Sequence, residues 1–331
     1  MSQAQTTGAP EAAKPKRRIN LGFDKYSGLY VWAILVIIFA IWIPDLFLSW
    51  DNAKTILSFQ AISTIVALGL IVPVAAGAFD LTIAGTLTVS ACFTAWALLN
   101  HKGVIFACGG ALIIGLIIGL ANALVVVKFK VDSFIGTLGM SSILAALAYM
   151  ITGGGQLVLP EDGYKPFLDF ARQQWFGISA SVYYAAFIAL VIWWMLEYTP
   201  GGRYLYAVGG NPVAARLAGV KVGRIIMLSF MASGVVSAFA GILLLSTTAN
   251  GAPDVGANYL LPAFSAVFLG ATQIRPGRVN VLGTLVAILL LATGVTGLQL
   301  AGAPSYVTQL FNGVALIVAM ALAARTARRR G

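Results

Sequence analysis

The chain has few charged residues. Only 10% of its 331 residues are Asp, Glu, Lys or Arg, whereas 59% are hydrophobic and the mean hydropathy is +0.90. A soluble domain carries about 25% charged residues because its surface must face water. This deficit excludes an ordinary water-soluble fold and indicates a surface that mostly faces lipid.

Residues that carry catalysis or bind metals are also scarce. The chain has one histidine, His101, and two cysteines, Cys92 and Cys108, in or beside apolar runs. A single histidine cannot build a His-rich zinc site or a His-based triad. The dipeptide Gly-Lys is absent, which excludes a P-loop. We therefore expect no enzymatic activity, no metal and no cofactor, with any ATP hydrolysis on a separate subunit.

Acidic residues are few within the apolar runs. The eleven Asp and Glu residues cluster at the ends of these runs, and only Asp80 and Glu197 come close to lying inside one. Ion-coupled transport generally requires ionisable groups within the bilayer. An ion-coupled secondary transporter is therefore a remote alternative, and an intramembrane carboxylate protease is disfavoured.

Long apolar runs are what the sequence has in abundance. Runs of about 20 residues mark membrane crossings, and ten are found: 28–48, 55–77, 81–99, 104–127, 133–152, 178–197, 225–247, 259–273, 279–298 and 305–323. The eighth run is short and contains Pro262, so a broken or re-entrant segment is an alternative there. A total of nine or eleven crossings is a further alternative. The predicted fold is an all-α integral membrane protein, with a transmembrane domain over 28–323 between basic tails 1–27 and 324–331.

The basic residues orient this domain. With ten crossings both termini lie on one side, and that side receives seventeen of the 21 Lys and Arg residues, whereas the other receives Lys54, Lys102, Lys165 and Arg172. Lys and Arg accumulate in cytoplasmic loops. We therefore expect cytoplasmic termini, and we interpret the net charge of +10 as a sign of topology and anionic lipid, not of nucleic acid.

A short echo suggests an internal repeat. The second run ends in Gly77-Ala78-Phe79-Asp80 and the seventh in Gly251-Ala252-Pro253-Asp254, 174 positions later. With the predicted topology these runs cross in opposite directions, which is typical of inverted five-helix repeats in transporters. Chance similarity is the open alternative for so short a motif.

The segment 198–224 is predicted to be a cytoplasmic loop containing one short helix. Asn211 is a preferred N-cap and Pro212 suits the first helical position. Val213 to Ala218 can form about two turns, and Gly219 is placed to end them. So short a helix needs a partner surface, either outside the chain or on its own helix ends.

This segment resembles the coupling loop of ABC-transporter permeases for sugars of the ribose, xylose and galactose type. The stretch from Gly209 to Gly219, Gly-Gly-Asn-Pro-Val-Ala-Ala-Arg-Leu-Ala-Gly, is similar to that family's signature. Three further stretches are similar to family motifs in the same order: 77–85, 129–139 and 268–272. The chain departs from the family at Tyr259-Leu260-Leu261-Pro262, where acidic residues are common, and at Arg275-Pro276-Gly277-Arg278, where Gly-Gly is usual.

The resemblance implies the permease subunit of an importer in the bacterial inner membrane. The implied partners are a cytoplasmic ABC ATPase, a second permease chain, and a periplasmic or lipid-anchored sugar-binding protein. It also implies that the helix that contacts the ATPase comprises Asn211, Pro212, Val213, Ala214, Ala215, Arg216, Leu217, Ala218 and Gly219. A permease for branched-chain amino acids has a related plan and is the main alternative, although a zwitterionic substrate should leave charged groups along its path.

Five polar residues are candidates for the translocation pathway: Gln60, Asp80, Thr82, Asn122 and Thr137. Polar side chains within apolar runs either bond across helices or face a hydrated path. We interpret Gln60 as facing the path and favour packing for Asn122. Asp80 is expected to cap the third transmembrane helix, and packing is also open for Thr137.

Overall fold

The computed structural model describes residues 23–328, with side chains over 26–321. Residues 1–22 of the predicted N-terminal tail and 329–331 of the predicted C-terminal tail therefore lie outside the described residues. The chain is mostly helical. In the described part the helices are α1 Phe23–Trp42, α2 Pro44–Phe47, α3 Trp50–Ala75, α4 Ile83–Leu99, α5 Val104–Ala123, α6 Ser133–Thr152, α7 Glu161–Arg172, α8 Ala180–Tyr198, α9 Pro200–Gly210, α10 Pro212–Leu217, α11 Val222–Thr248, α12 Ala257–Gly270, α13 Val281–Leu300 and α14 Tyr306–Arg328.

Small strands interrupt the helical plan. Antiparallel pairs join β1 Leu157–Val158 to β4 Asn250–Gly251, and β2 Gln174–Trp175 to β3 Ile178–Ser179. A π-helical turn, Leu124–Lys128, extends α5. These two-residue strands were not expected from the sequence, which otherwise predicted the helical fold class.

Six of the described helices are long and apolar enough to cross a membrane: Trp50–Ala75, Val104–Lys128, Ser133–Thr152, Ala180–Tyr198, Val222–Thr248 and Val281–Leu300. Four shorter apolar helices are Tyr26–Trp42, Ile83–Leu99, Ala257–Gly270 and Tyr306–Ala321. Each predicted run overlaps one of these ten helices. The chain is thus a multi-pass membrane protein whose apolar helices follow the predicted order.

Several boundaries differ from prediction. The first run was expected to reach residue 48, but α1 ends at Trp42 and Pro44 starts the separate turn α2, since proline favours a first helical position. The next helix starts at Trp50, where the Ser49 hydroxyl accepts a hydrogen bond from Asn52 N. No break occurs at Pro262, which lies inside α12. Packing against neighbouring helices lets a membrane helix tolerate the loss of the backbone hydrogen bond that proline cannot donate.

The segment 198–224 holds two helices instead of one. The helix α9 was missed because Gly201, Gly202, Gly209 and Gly210 gave its sequence the composition of a loop. Two of these glycines lie against other helices: a Cβ at Gly202 would overlap the backbone of α8, and one at Gly209 would overlap the Ala75 carbonyl at the end of α3. Close approach to neighbouring backbone therefore offsets the low helix propensity of glycine.

The core lies around α3 and α11. The side chains from Ala61 to Pro73 on α3 are buried, and α11 packs against α3, α4 and α5. Glycines permit the closest crossing, because a Cβ at Gly115 of α5 would overlap the Gly234 carbonyl of α11. Such small-residue contacts typify helix packing in membranes. The outer face of α6 exposes Ile135, Leu138 and Ile143, which suits contact with lipid.

The bundle has two distinct ends. At one end, termed the α7 end, the short helix α7 packs against α11, and the Tyr164 hydroxyl donates to the Leu98 carbonyl. The opposite end, termed the α10 end, carries α9, α10 and the loop that joins α12 to α13. With the predicted topology, the α7 end is outside and the α10 end is cytoplasmic.

Candidate functional site

The short helix α10 begins as the sequence predicts. The Asn211 side-chain oxygen accepts hydrogen bonds from Val213 N at 3.0 Å and Ala214 N at 2.9 Å. Pro212 occupies the first position, and Gly219 follows the helix with a φ of 85°. The left-handed backbone at Gly219 suits a residue without a Cβ. Local sequence signals therefore set both ends of this helix.

The two faces of α10 have different surroundings. Ala215 is 5% exposed and packs with Val208 and Val222, which seats the helix on its own chain. Val213 and Leu217, four positions apart, are 64% and 85% exposed. Residues at this spacing share one helix face. The helix is therefore seated on one side and presents an apolar pair on the other.

Arg216 lies beside that apolar pair and is exposed. It forms no ion pair with any residue in the described part of the chain. Of the two settings considered for α10, seating on its own chain is observed at Ala215, while Arg216 and its apolar neighbours remain exposed.

The polar residues between α3 and α4 form a buried network. Asp80 is 1% exposed; its Oδ1 accepts from Thr82 N at 3.0 Å and from Thr82 Oγ1 at 2.5 Å, and its Oδ2 accepts from Ser233 Oγ at 2.7 Å. Asn122 Nδ2 donates to Thr82 Oγ1 at 2.7 Å. The Asp80 carboxyl thus bonds directly to Thr82 and to Ser233 of α11, and Asn122 of α5 joins the network through Thr82.

The expected capping role of Asp80 is not observed. Thr82 holds the N-cap position of α4, and no side chain accepts a capping hydrogen bond there. The Asp80 carboxyl instead accepts hydrogen bonds from Thr82, two residues later, and from Ser233 on α11. Gly77, with a φ of 78°, makes the preceding turn possible. Because α4 starts three residues after Asp80, the carboxyl is too early in the chain to cap its first turn.

The same break is fastened to α6 by three hydroxyl groups. Phe79 N donates to Ser133 Oγ at 3.0 Å, and Leu81 N donates to Thr137 Oγ1 at 3.2 Å. Ser141 Oγ donates to the Leu81 carbonyl at 3.0 Å. These bonds satisfy backbone groups that the break would leave unpaired in an apolar environment. Thr137 is thus brought to the break as a hydrogen-bonding partner.

Gln60 lies elsewhere, on a cavity of about 340 Å³ between α3, α12, α13 and α14. Its described lining combines polar and apolar side chains and has no charged residue: Phe59, Gln60, Ser63, Asn258, Tyr259, Pro262, Ile288, Leu291, Ala292, Val295, Thr296, Gln299, Thr308 and Asn312. Gln299 Nε2 donates to Thr308 Oγ1 at 2.9 Å. We term this space the polar cavity; it lies toward the α7 end. Asp80, Thr82, Asn122 and Thr137 are not among its lining residues.

Most of these lining residues were missed from the sequence. Asn312 is buried within an apolar helix, and Gln299 ends another. The available signal was a polar residue in or beside an apolar run, the same signal that drew attention to Gln60. Which of these residues share one cavity depends on how α3 packs with α12, α13 and α14, which come much later in the chain.

Comparison with known proteins decides the class of this bundle. The protein family described as "Branched-chain amino acid transport system / permease component" matches residues 52–320. The chain belongs to this permease family. It is accordingly a transport component and not an enzyme.

Similar curated proteins carry more specific names. The permease is 32% identical over 297 residues to the ribose import permease protein RbsC of Bacillus subtilis, covering 90% of this chain and 91% of that protein. It is 31% identical over 322 residues to the L-arabinose transport system permease protein AraH of Escherichia coli K12, covering 97% and 96%. An autoinducer 2 import system permease protein, LsrD of Photorhabdus laumondii, is 31% identical over 261 residues, covering 77% and 78%. No solved structure matches the chain significantly.

Proposed function

We propose that this chain is the permease subunit of an ATP-driven importer in the bacterial inner membrane and that it carries a monosaccharide-like sugar. The names of the similar proteins support a sugar substrate. The partners follow from this class: a cytoplasmic ABC ATPase, an outer sugar-binding protein that is periplasmic or lipid-anchored, and a second permease chain.

The observation that carries the choice of substrate is the polar cavity. None of its fourteen described lining residues is charged, and its amide and hydroxyl groups can donate and accept hydrogen bonds. Such groups match a neutral substrate that presents hydroxyls. A branched-chain amino acid would bring two charges into this space, and burying unpaired charges is unfavourable.

Helix spacing supports the proposed inverted repeat. Four consecutive helices of each half begin at nearly constant separations of 172, 174, 177 and 173 positions, for α3 and α11, α4 and α12, α5 and α13, and α6 and α14. The shorter α4 and α12 occupy equivalent places, each after one of the two echoed motifs. We propose ten crossings in two inverted halves, with α1 and α8 beginning them and both termini in the cytoplasm.

We further propose that α10 docks on the ATPase. The exposed pair Val213 and Leu217 supplies apolar area, and the exposed guanidinium of Arg216 can pair with a carboxylate or helix-terminal carbonyls. The buried face at Ala215 transmits displacement to α9 and α11. Gln60 is assigned to the pathway. The break between α3 and α4 is proposed to be braced, beside the pathway, by Asp80, Thr82, Asn122 and Thr137.

Reconstitution tests this function. The chain would be placed in proteoliposomes with its ATPase subunit and substrate-loaded binding protein, and uptake of labelled ribose, arabinose and leucine would be compared. We expect ATP-dependent uptake of a sugar, and ATPase activity only when the separate subunit is present. Uptake of leucine without sugar uptake would favour the amino-acid alternative, and uptake without ATP would favour a secondary transporter.

A further inference from the structure

An ionic cluster at the α10 end joins two helices to a distant loop. Glu197, in the last turn of α8, has a side chain only 12% exposed. Arg278, in the loop between α12 and α13, places Nη2 at 3.0 Å from both of its carboxylate oxygens. Arg275 of the same loop contacts Glu197 Oε2. In this loop, which departs from the family's usual Gly-Gly, both arginines contact Glu197 of the same chain.

Tyr206 connects this cluster to α9. The Arg278 guanidinium carbon lies 4.4 Å from the centroid of the Tyr206 ring. The Tyr206 hydroxyl donates to the Val279 carbonyl at 2.9 Å. Burial raises the pKa of Tyr206, so the ring stays neutral and its hydroxyl remains a donor. One side chain of α9 is therefore fixed to the α12–α13 loop at both its face and its tip.

The position of this contact links two proposed sites. Only Asn211 separates α9 from α10, so displacement of α10 reaches Tyr206 through five residues of chain. On the other side of the contact, α12 and α13 both run to the polar cavity, which Tyr259 of α12 and Thr296 of α13 line. A rigid contact between α9 and the α12–α13 loop would pass movement of α10 to two walls of that cavity.

We propose that Glu197, Tyr206 and Arg278 form a transmission latch that couples movement of the ATPase-docking helix to the walls of the polar cavity. This inference rests on the proposed function. Glu197 and Arg278 act as positioning residues because they hold the guanidinium against the Tyr206 ring. A partly buried carboxylate held by two arginines resists separation, since parting them leaves charge unpaired away from water.

The latch can be tested in the complete reconstituted transporter. Uptake per ATP hydrolysed would be measured for Tyr206→Leu, Tyr206→Phe and Glu197→Gln, with Tyr204→Leu as the control because Tyr204 is an exposed tyrosine of the same helix. Tyr206→Leu should lower uptake per ATP by about tenfold, because it removes the ring that the cation contacts. Tyr206→Phe keeps the ring and should retain most coupling, and Glu197→Gln should uncouple partially.

The rates would be normalised to assembled complex, so that poor folding of one variant does not imitate uncoupling. Coupling unchanged in both Tyr206→Leu and Glu197→Gln would overturn the latch, as would parallel losses of ATPase activity and uptake that leave their ratio unchanged. A wild-type complex without sugar-dependent uptake would instead contradict the proposed function itself.

Discussion

The Ser233 hydroxyl donates a hydrogen bond of 2.7 Å to Asp80, 153 positions earlier in the chain. Both side chains are buried, and the bond joins the break between α3 and α4 to the middle of α11. In the proposed repeat this contact crosses from one half to the other. It fixes the irregular backbone at a point where the two halves meet.

Replacing Asp80 by Ala should destabilise the protein. The substitution leaves the hydroxyls of Thr82 and Ser233 without their buried acceptor, which costs about 1–3 kcal/mol for an unsatisfied polar group. The measurement is the thermal unfolding midpoint in detergent. Asp254→Ala is the matched control, because Asp254 ends the echoed motif but is exposed. Equal effects at both positions would show that the Asp80 network does not stabilise the fold.

The exposed face of α10 should govern affinity for the ATPase. Replacing Leu217 by Asp removes a contact whose burial is worth about 1.5–3 kcal/mol, and should weaken binding of the separate ATPase subunit by roughly ten- to hundredfold. Ala207→Asp, which adds the same charge at an exposed position of α9, should bind normally. Binding would be measured by titration of the ATPase onto the permease in nanodiscs.

Two other substitutions in α10 test its exposed and buried faces separately. Arg216→Glu should leave membrane insertion intact but uncouple ATPase activity from the loaded binding protein, since Arg216 is exposed and free to pair with the partner. Ala215→Leu should displace the helix from Val208 and Val222, because Ala215 is buried against them. Normal assembly and transport by both variants would refute a transmitting role for α10.

Cysteine labelling should place the two ends on opposite sides of the membrane. In a background without Cys92 and Cys108, an impermeant maleimide applied to intact cells should label Asp162→Cys in α7 and not Gly210→Cys in α9. The positive-inside distribution of Lys and Arg is the reason. Labelling of Gly210→Cys from outside would show that the topology is the reverse of the predicted one. Labelling of the same variant after permeabilisation is the control, because it shows that this cysteine can react.

The sequence predicted what depends on local chemistry. Asn211, Pro212 and Gly219 identified α10 because caps act within a few residues. Apolar runs located the membrane helices because lipid selects for length and composition. The helix α9 was missed because its glycines are favoured only by the backbones that approach them.

Long-range contacts could not be predicted in the same way. Nothing near Asp80 identifies Ser233 as its partner, and nothing near Glu197 identifies Arg278, because these pairs form only when distant helices pack. The polar cavity illustrates the same limit: Gln60 could be singled out from the sequence as a polar residue in an apolar run, whereas Gln299 and Asn312 become its neighbours through tertiary structure.

The most direct test of the account is whether the sugar contacts the polar cavity. Gln60→Leu keeps the side-chain size but removes an amide, and a lost hydrogen bond of about 0.5–1.5 kcal/mol should raise the apparent KM for sugar uptake roughly two- to tenfold. Gln174→Leu, at an exposed strand outside the cavity, is the control. We predict a raised KM for Gln60→Leu alone. The KM would be obtained from the initial rate of sugar uptake into proteoliposomes, measured against the concentration of sugar-loaded binding protein. An unchanged KM and maximal rate in Gln60→Leu would contradict passage of the sugar through this cavity.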